Sequence, residues 1–499
     1  MVLRMQPELE RNSKVWATCG IVALALLLTL VWLVLLSRIR WRTRLIAVAA
    51  LAVVIFGATK VLRVDGTLSG IGLPRLAFKW ASVRNVPLTA PSTPESKGNT
   101  APRSEDMGEA TQFFGSHRDG MVVGAKLSRD WNATPPKQLW RQPIGAGWSA
   151  FAVVGGRAYT QEQRGEDEAV TCYDAITGRL IWIHTDKARF FQWQGGEGPR
   201  ATPTVFAGKV FTNGGTGILN CLDSATGQIV WSRDVLKENH LENLTWGVSA
   251  SPLVFDDKVV VTGGGAAGPT LLAYNNATGA PMWSAGTDKA SYASPILTTL
   301  AGRRVVLSVN AGSLTAHDPA SGEVLLDYPW APEAKWPKAA QPVVLEGDRV
   351  FLSAGYGAGC VLLQVKADAA GKLAGAQLWK SMRMKTQFNS VGARDGCLFG
   401  LDDGMLACLD VATGNRRWKT GRFGSGQTLL VNDMILVQSE PGAFFLGGVK
   451  PDGYEELGQI PALSSKTWNY PTLAGRYLLL RNDQEAVCYE LPVEDAQRN

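Results

Sequence analysis

One nine-residue phrase, Asp/Asn-x-x-Thr-Gly-x-x-x-Trp, recurs four times along this chain: Asp174 to Trp182, Asp223 to Trp231, Asn275 to Trp283 and Asp410 to Trp418. A fifth copy, Asp318 to Leu326, has Ser321-Gly322 and ends in Leu where Trp is expected. Asp or Asn followed by Thr-Gly closes a tight turn, with Gly supplying the positive φ that other residues resist. The apolar run before the turn and the Trp after it read as strands. Self-similarity at about 40–50 residues points to an array of small sheets, usually a propeller.

The units can be counted from their openings, a small polar residue and often Pro before an apolar strand. These are Ser149-Ala-Phe151, Ala201-Thr-Pro203, Ala250-Ser-Pro252, Ala293-Ser-Pro295, Ala340-Gln-Pro342, Asn389-Ser-Val391, Gly426-Gln-Thr428 and Asn469-Tyr-Pro471. The reading is an all-β fold, an eight-bladed β-propeller of four-stranded blades spanning 134–494. The last unit stops after Val487-Cys-Tyr-Glu490 without an outer strand and Trp. Gln138-Leu-Trp140-Arg141 is the missing piece, so this N-terminal strand is expected to complete the last blade. Closure of that kind removes exposed sheet edges.

With these repeats in hand, the chain resembles the pyrroloquinoline-quinone-type β-propellers. That superfamily holds quinoprotein alcohol dehydrogenases and the periplasmic lipoprotein of the outer-membrane barrel assembly machine. The resemblance runs from about Phe113 to Leu491. Stretches such as Gly195 to Pro203 and Lys385 to Ser390 resemble a bacterial PQQ-like subgroup. Fold likeness alone does not assign activity.

The N-terminus is different material. Residues 1–14 form a tail, and 15–37 and 45–62 are apolar stretches suited to two membrane-spanning helices. Arg38, Arg40, Arg42 and Arg44 crowd the loop 38–44 between them, which the positive-inside rule places in the cytoplasm. The expected location is therefore a bacterial inner membrane, with the propeller on the periplasmic side. Residues 63–133 read as linker and lead-in. The run 91–102 is polar and proline-rich. Phe113 to Gly120 is expected to pack on a blade, with His117 in a structural role. The formal charge of +6 is modest and no basic stripe is interleaved with aromatics, so nucleic acid is not an expected partner.

Cys172, Cys221, Cys408 and Cys488 share one slot that Ala273 and Ala316 fill in other units, which marks it as a small buried strand site. Only Cys397 and Cys408 are near enough in the pattern to consider pairing. Glu166-Asp-Glu168 and Asp402-Asp403 read as exposed hairpin turns.

In a propeller the starts of the innermost strands encircle the central channel, and cofactor-binding relatives use that end. The segments there carry Trp148, Arg200, Thr202, Trp246, Ser249, Lys385, Asn389, Gln427, Trp468 and Asn469. Arg200, Trp246, Lys385 and Trp468 can hold a planar anionic ligand by stacking and charge-assisted hydrogen bonds. Glu197 and Asn389 can offer oxygens to calcium. The other reading is that these groups solvate the mouth and cap strands. The resemblance implies PQQ and Ca2+ as cofactors for an enzyme of this fold. However, the vicinal cysteine pair of those dehydrogenases is missing, and their catalytic Asp, Glu and Asn motifs find no match. No cofactor is firmly implied. The function expected is a protein-interaction or assembly module, or a ligand-binding one, with other envelope proteins as partners. The alternative is a PQQ-dependent alcohol or sugar dehydrogenase.

Overall fold

The computed structural model describes residues 10–70, 72–80, 107–265, 268–332 and 337–494. The first nine residues of the tail and the proline-rich run 91–102 lie outside them. The chain forms two compact units, Met1–Arg84 with Trp193–Gly196, and Asn85–Gln192 with Glu197–Asn499.

In the first unit, a helix Arg11–Val31 runs on as a π-helical turn, Trp32–Leu36, and a second helix spans Trp41–Val61. Both are long and apolar enough to cross a bilayer, and their apolar side chains are exposed on every face. A helix without a polar face suits lipid rather than a protein surface. The first helix begins four residues before the expected residue 15, and Arg42 and Arg44 belong to the second helix, not to the loop. Arg44 turns back: its Nε donates to the Ile39 carbonyl and its Nη1 to that of Val34, both at 2.8 Å, and Nη2 reaches Ser37. A cation thereby satisfies carbonyls that the end of the first helix leaves open. The segment read as tether starts with a β-hairpin, Leu62–Thr67 against Pro74–Phe78.

The second unit is built from small sheets. Among the described residues, eight sheets have four or five strands each, laid side by side in chain order. We number them by their innermost and outermost strands: sheet 1, Ala152–Val154 to Leu180–Asp186; sheet 2, Thr204–Phe206 to Ile229–Asp234; sheet 3, Leu253–Phe255 to Pro281–Ala285; sheet 4, Ile296–Leu300 to Val324–Pro329. Sheet 5 runs from Val343–Leu345 to Leu373–Ser381, sheet 6 from Gly392–Arg394 to Arg416–Thr420, and sheet 7 from Gln427–Val431 to Gly453–Ile460. Sheet 8 starts at Thr472–Ala474 and is completed by Lys137–Pro143, with Trp140 opposite Cys488 and Arg141 opposite Val487. The closing strand is where the sequence places it. Innermost strands of sheets 8 and 1 touch, as do those of 1 and 2, 2 and 3, 5 and 6, and 6 and 7. Among the described residues, one short helix, Val235–Glu238, interrupts the all-β pattern after sheet 2.

The repeated phrase is the lock between sheets. In sheet 1, Asp174 Oδ1 accepts from the Ile176 and Thr177 amides and the Thr177 hydroxyl, and Gly178 takes a φ of 73°. The Trp of one sheet then covers the turn of the next. Trp140 donates its indole N–H to the Ala175 carbonyl, Trp182 to Ser224, Trp231 to Asn276 and Trp283 to Pro319. Each acceptor directly follows the turn Asp or Asn. Trp379 in sheet 5 does the same to Val411, although its turn lacks Thr-Gly and the sequence pattern passes over it. Across each strand pair the Trp faces the small slot: Cys172, Cys221, Ala273, Cys408 and Cys488 stand opposite Trp182, Trp231, Trp283, Trp418 and Trp140. All six cysteines of the second unit are buried free thiols, Cys397 and Cys408 included.

Candidate binding site at the mouth of the ring

The small polar openings of the units have a structural task. The Ala150 amide donates to Thr202 Oγ1 at 3.1 Å, the Thr202 amide to Ser251 Oγ at 2.9 Å, and the Ser251 amide to Ser294 Oγ at 2.9 Å. Farther round, the Gln341 amide and the Tyr470 hydroxyl both donate to Ser390 Oγ. Each hydroxyl satisfies a buried amide of the preceding sheet, which leaves these Ser and Thr side chains spent on the ring itself.

Beneath this girdle the axis is filled by the chain's own lead-in. The Ala110 amide and carbonyl bridge to Val153 of sheet 1, and the Val205 amide of sheet 2 donates to Thr111. Met121–Val122 then adds a parallel innermost strand to sheet 7. Between these points Arg118 is buried. Its guanidinium donates to Gln112 Oε1 at 2.7 Å, to the carbonyls of Ser251 at 3.1 Å and Pro295 at 3.0 Å, to Thr204 Oγ1 at 3.2 Å, and to Pro252. Burial pushes Arg118 down to about 9, so it stays charged at neutral pH among carbonyl dipoles. Phe113 and Phe114 meet the Tyr470 ring edge-on at 4.7 and 5.2 Å. A segment this short touches innermost strands or their openings in sheets 1, 2, 3, 4, 7 and 8 only by lying along the axis. The lead-in does not pack on one blade, as the sequence suggests; it floors the channel. His117 is exposed beside it.

Above the floor runs an arc of aromatic rings. Phe388 and Trp468 lie 4.9 Å apart, and Trp468 and Trp148 4.8 Å apart. The Lys466 ammonium stands 4.0 Å over Trp468 and 5.1 Å over Trp148, while Trp468 Nε1 donates to Glu440 Oε1 at 2.8 Å. The Trp148 amide donates to Pro199 at 2.8 Å, which carries the arc to Arg200. Arg200 stacks 4.6 Å over Phe190 and donates to the Gly198 carbonyl at 2.6 Å. Phe190 lies against Gly215 and Gly247, where a Cβ would stand 3.1 and 2.8 Å from the ring. Trp246 follows, edge-on to Tyr292 at 5.7 Å.

Three of the four residues read as ligand-binding, Arg200, Trp246 and Trp468, therefore fall on one arc. Lys385 does not: its ammonium is 2.7 Å from the buried carboxylate of Asp402. Glu197 is held by Arg189 at 2.8 Å. Asn389 accepts from the Gln387 amide and donates to the Leu401 carbonyl. Glu197 and Asn389 share no partner among the described residues, nor do those residues gather three or more His, Cys, Asp or Glu side chains in a metal-holding group.

Three acidic residues read as exposed turns are buried instead, Asp167, which pairs with Lys187, among them. Asp402 is one. Glu168 is another: its Oε1 accepts from the Gly215 amide at 3.0 Å, and burial pushes it up to about 7, against the pull of that amide and of Arg200. A buried carboxyl shifted this far beside an arginine is the kind of pair found at functional sites.

Radially nested antiparallel sheets, a strand from the N-terminal side in the last sheet, and a Trp-to-turn lock at successive joints define a β-propeller of the PQQ-like type. The family model described as outer membrane protein assembly factor BamB matches residues 166–420, about half of the chain, and the chain belongs to that family. Among solved structures, BamB from Moraxella catarrhalis is 15% identical with a TM-score of 0.51, over 72% of this chain and 99% of that one. Quinohemoprotein alcohol dehydrogenase from Comamonas testosteroni is 13% identical with a TM-score of 0.58, over 80% and 82%. The computationally designed Ika8 protein is 13% identical with a TM-score of 0.50, over 74% and 100%. At these identities the likeness is one of fold. No curated protein sequence matches the chain.

Proposed function

We propose that the protein is a membrane-anchored, extracytoplasmic propeller of eight blades that serves as an interaction or assembly module with envelope proteins as partners. In this reading 134–494 is the propeller, 63–133 the linker and lead-in, and the helices Arg11–Leu36 and Trp41–Val61 the spans, with the arginines where the two helices meet cytoplasmic and the propeller periplasmic. The observation that carries it is the filled axis. Arg118, Phe113 and Phe114 occupy the channel directly under the mouth, and Lys385, Glu197 and Asn389 are engaged in contacts internal to the fold. A surface of that kind can present side chains to a partner, while a deep cofactor chamber needs space and donors that are already used. Likeness to the outer membrane protein assembly factor BamB supports the same reading.

The arc of Trp148, Trp468, Arg200 and Trp246 favours a second reading, a quinone-dependent oxidoreductase. The test is to incubate the full chain with pyrroloquinoline quinone and Ca2+, then measure dye-linked alcohol oxidation. The module reading expects no turnover above the protein-free control. Turnover that requires both additions and is abolished by Glu197→Gln or Asn389→Ala would replace it with the dehydrogenase.

A further inference from the structure

The outer corner of sheets 5 and 6 holds more positive charge than the fold needs. Asp402 is fully buried; its Oδ1 accepts from the Lys385 amide at 3.0 Å and ammonium at 2.7 Å, and its Oδ2 from Lys419 at 2.5 Å and Arg416 at 3.3 Å. One cation neutralises a carboxylate, yet three converge. Lys385 is tied further to the Met382 carbonyl at 2.8 Å. Among the described residues, Arg416 and Lys419 have no second acceptor, and their side chains are 38% and 20% exposed. Each keeps N–H donors for an incoming oxyanion.

The surroundings extend the excess. Even with Asp403 counted, three cations face two carboxylates. Arg383 donates to Asn415, which places it next to Arg416, and Lys380 and Arg422 are exposed on the same two outer strands and their ends. Asp410, beside Arg417 on the same outer strand as Arg416, is already paired with Arg417. Burial holds the Lys419 ammonium below its usual value despite Asp402, and the charges of Lys385 and Arg416 add to that push. Leu378 and Met382 lie exposed on the sheet 5 side. A small free anion would use the corner alone and leave these apolar and basic flanks unused.

We propose that this corner docks an acidic segment of a partner protein, whose carboxylate receives hydrogen bonds from Arg416 and Lys419 while its apolar residues cover Leu378 and Met382. The assignment rests on the interaction-module reading and names the partner's chemistry. Charge-assisted hydrogen bonds of this kind are the strong ones, and their partly exposed position makes them salt-sensitive.

The test uses the full chain in neutral detergent and a fluorescein-labelled peptide of Glu, Asp and Leu, followed by anisotropy. The paired variant Arg416→Gln with Lys419→Gln should weaken binding about tenfold or more, the lower end for hydrogen bonds to charged groups. Lys366→Gln with Lys372→Gln, away from the corner, should leave it unchanged. Asp402 keeps Lys385 in every variant, and Arg416→Lys with Lys419→Arg should restore most of the affinity. Equal affinity of the Gln pair and the wild type would overturn the proposal. So would inorganic phosphate that competes as tightly as the peptide, which would mark a small-anion site. Peptide failure without quinone turnover sinks only this inference, whereas quinone- and calcium-dependent turnover sinks the module reading itself.

Discussion

A Cβ on Gly227 would stand 2.5 Å from the indole of Trp182, and one on Gly178 2.8 Å from that of Trp140. The turn glycine is therefore needed twice, for its positive φ and for the close approach of the preceding sheet's Trp. That is why Thr-Gly and Trp recur together and why the phrase was legible without a structure. Trp182→Ala or Trp231→Ala should cost about 3–5 kcal/mol in urea unfolding, and Leu326→Ala less, about 2–4 kcal/mol. Losses below roughly 1 kcal/mol at the two Trp sites would contradict the lock. Trp379 escaped notice because its turn reads Asp368-Ala-Ala-Gly371, a different local solution to the same corner. Glu168 escaped for another reason. Acidic runs signal exposed turns, but burial of Glu168 comes from Gly215 and Arg200, far along the chain. Its raised value means that the ionised form is disfavoured by the fold: stability from this group is complete below pH 4.5 and is lost as pH rises through about 7. Glu168→Gln should thus gain thermal stability relative to wild type at pH 8 and lose that advantage at pH 5. An unchanged difference between the two pH values would show that Glu168 titrates normally.

Two elements set the shape of the second unit, and they differ in how far sequence exposes them. The strand Lys137–Pro143 could be assigned because sheet 8 lacked an outer strand and Trp140 supplied the missing residue. Removing 134–145 should open the ring and abolish soluble folded protein; thermal stability that survives the deletion would mean the strand does not close anything. The lead-in shows no such deficit to fill. Its contacts are with residues more than a hundred positions away, carried by one guanidinium and two rings, and no periodicity announces them. Arg118→Met would strip several buried carbonyls of their donor. It should lower stability by about 2–5 kcal/mol, since each buried polar group left unsatisfied costs about 1–3 kcal/mol. A change within about 0.5 kcal/mol would place Arg118 outside the core. At the mouth, sequence pointed to Trp148, Arg200, Trp246 and Trp468 by their residue types. It could not see that Lys385 would turn to Asp402, since that choice depends on how sheets 5 and 6 meet.

For the molecule as a whole, the fold follows from the repeat, and the proposed function from what the repeat leaves open. Topology is tested by reporter fusions at residues 40 and 110, which should report opposite compartments; matching signals would mean that only one of the two apolar helices spans. In the proposed reading the axis is filled by the protein's own chain and the mouth is a shallow recognition surface. Hydrogen–deuterium exchange on the full chain, with and without pyrroloquinoline quinone and Ca2+, reads this directly. Amides of 113–122 should be protected as strongly as the innermost strands, and the quinone should change neither them nor 197–200 and 385–389. Fast exchange in the lead-in, or new protection of the mouth segments on adding quinone and Ca2+, would contradict the account.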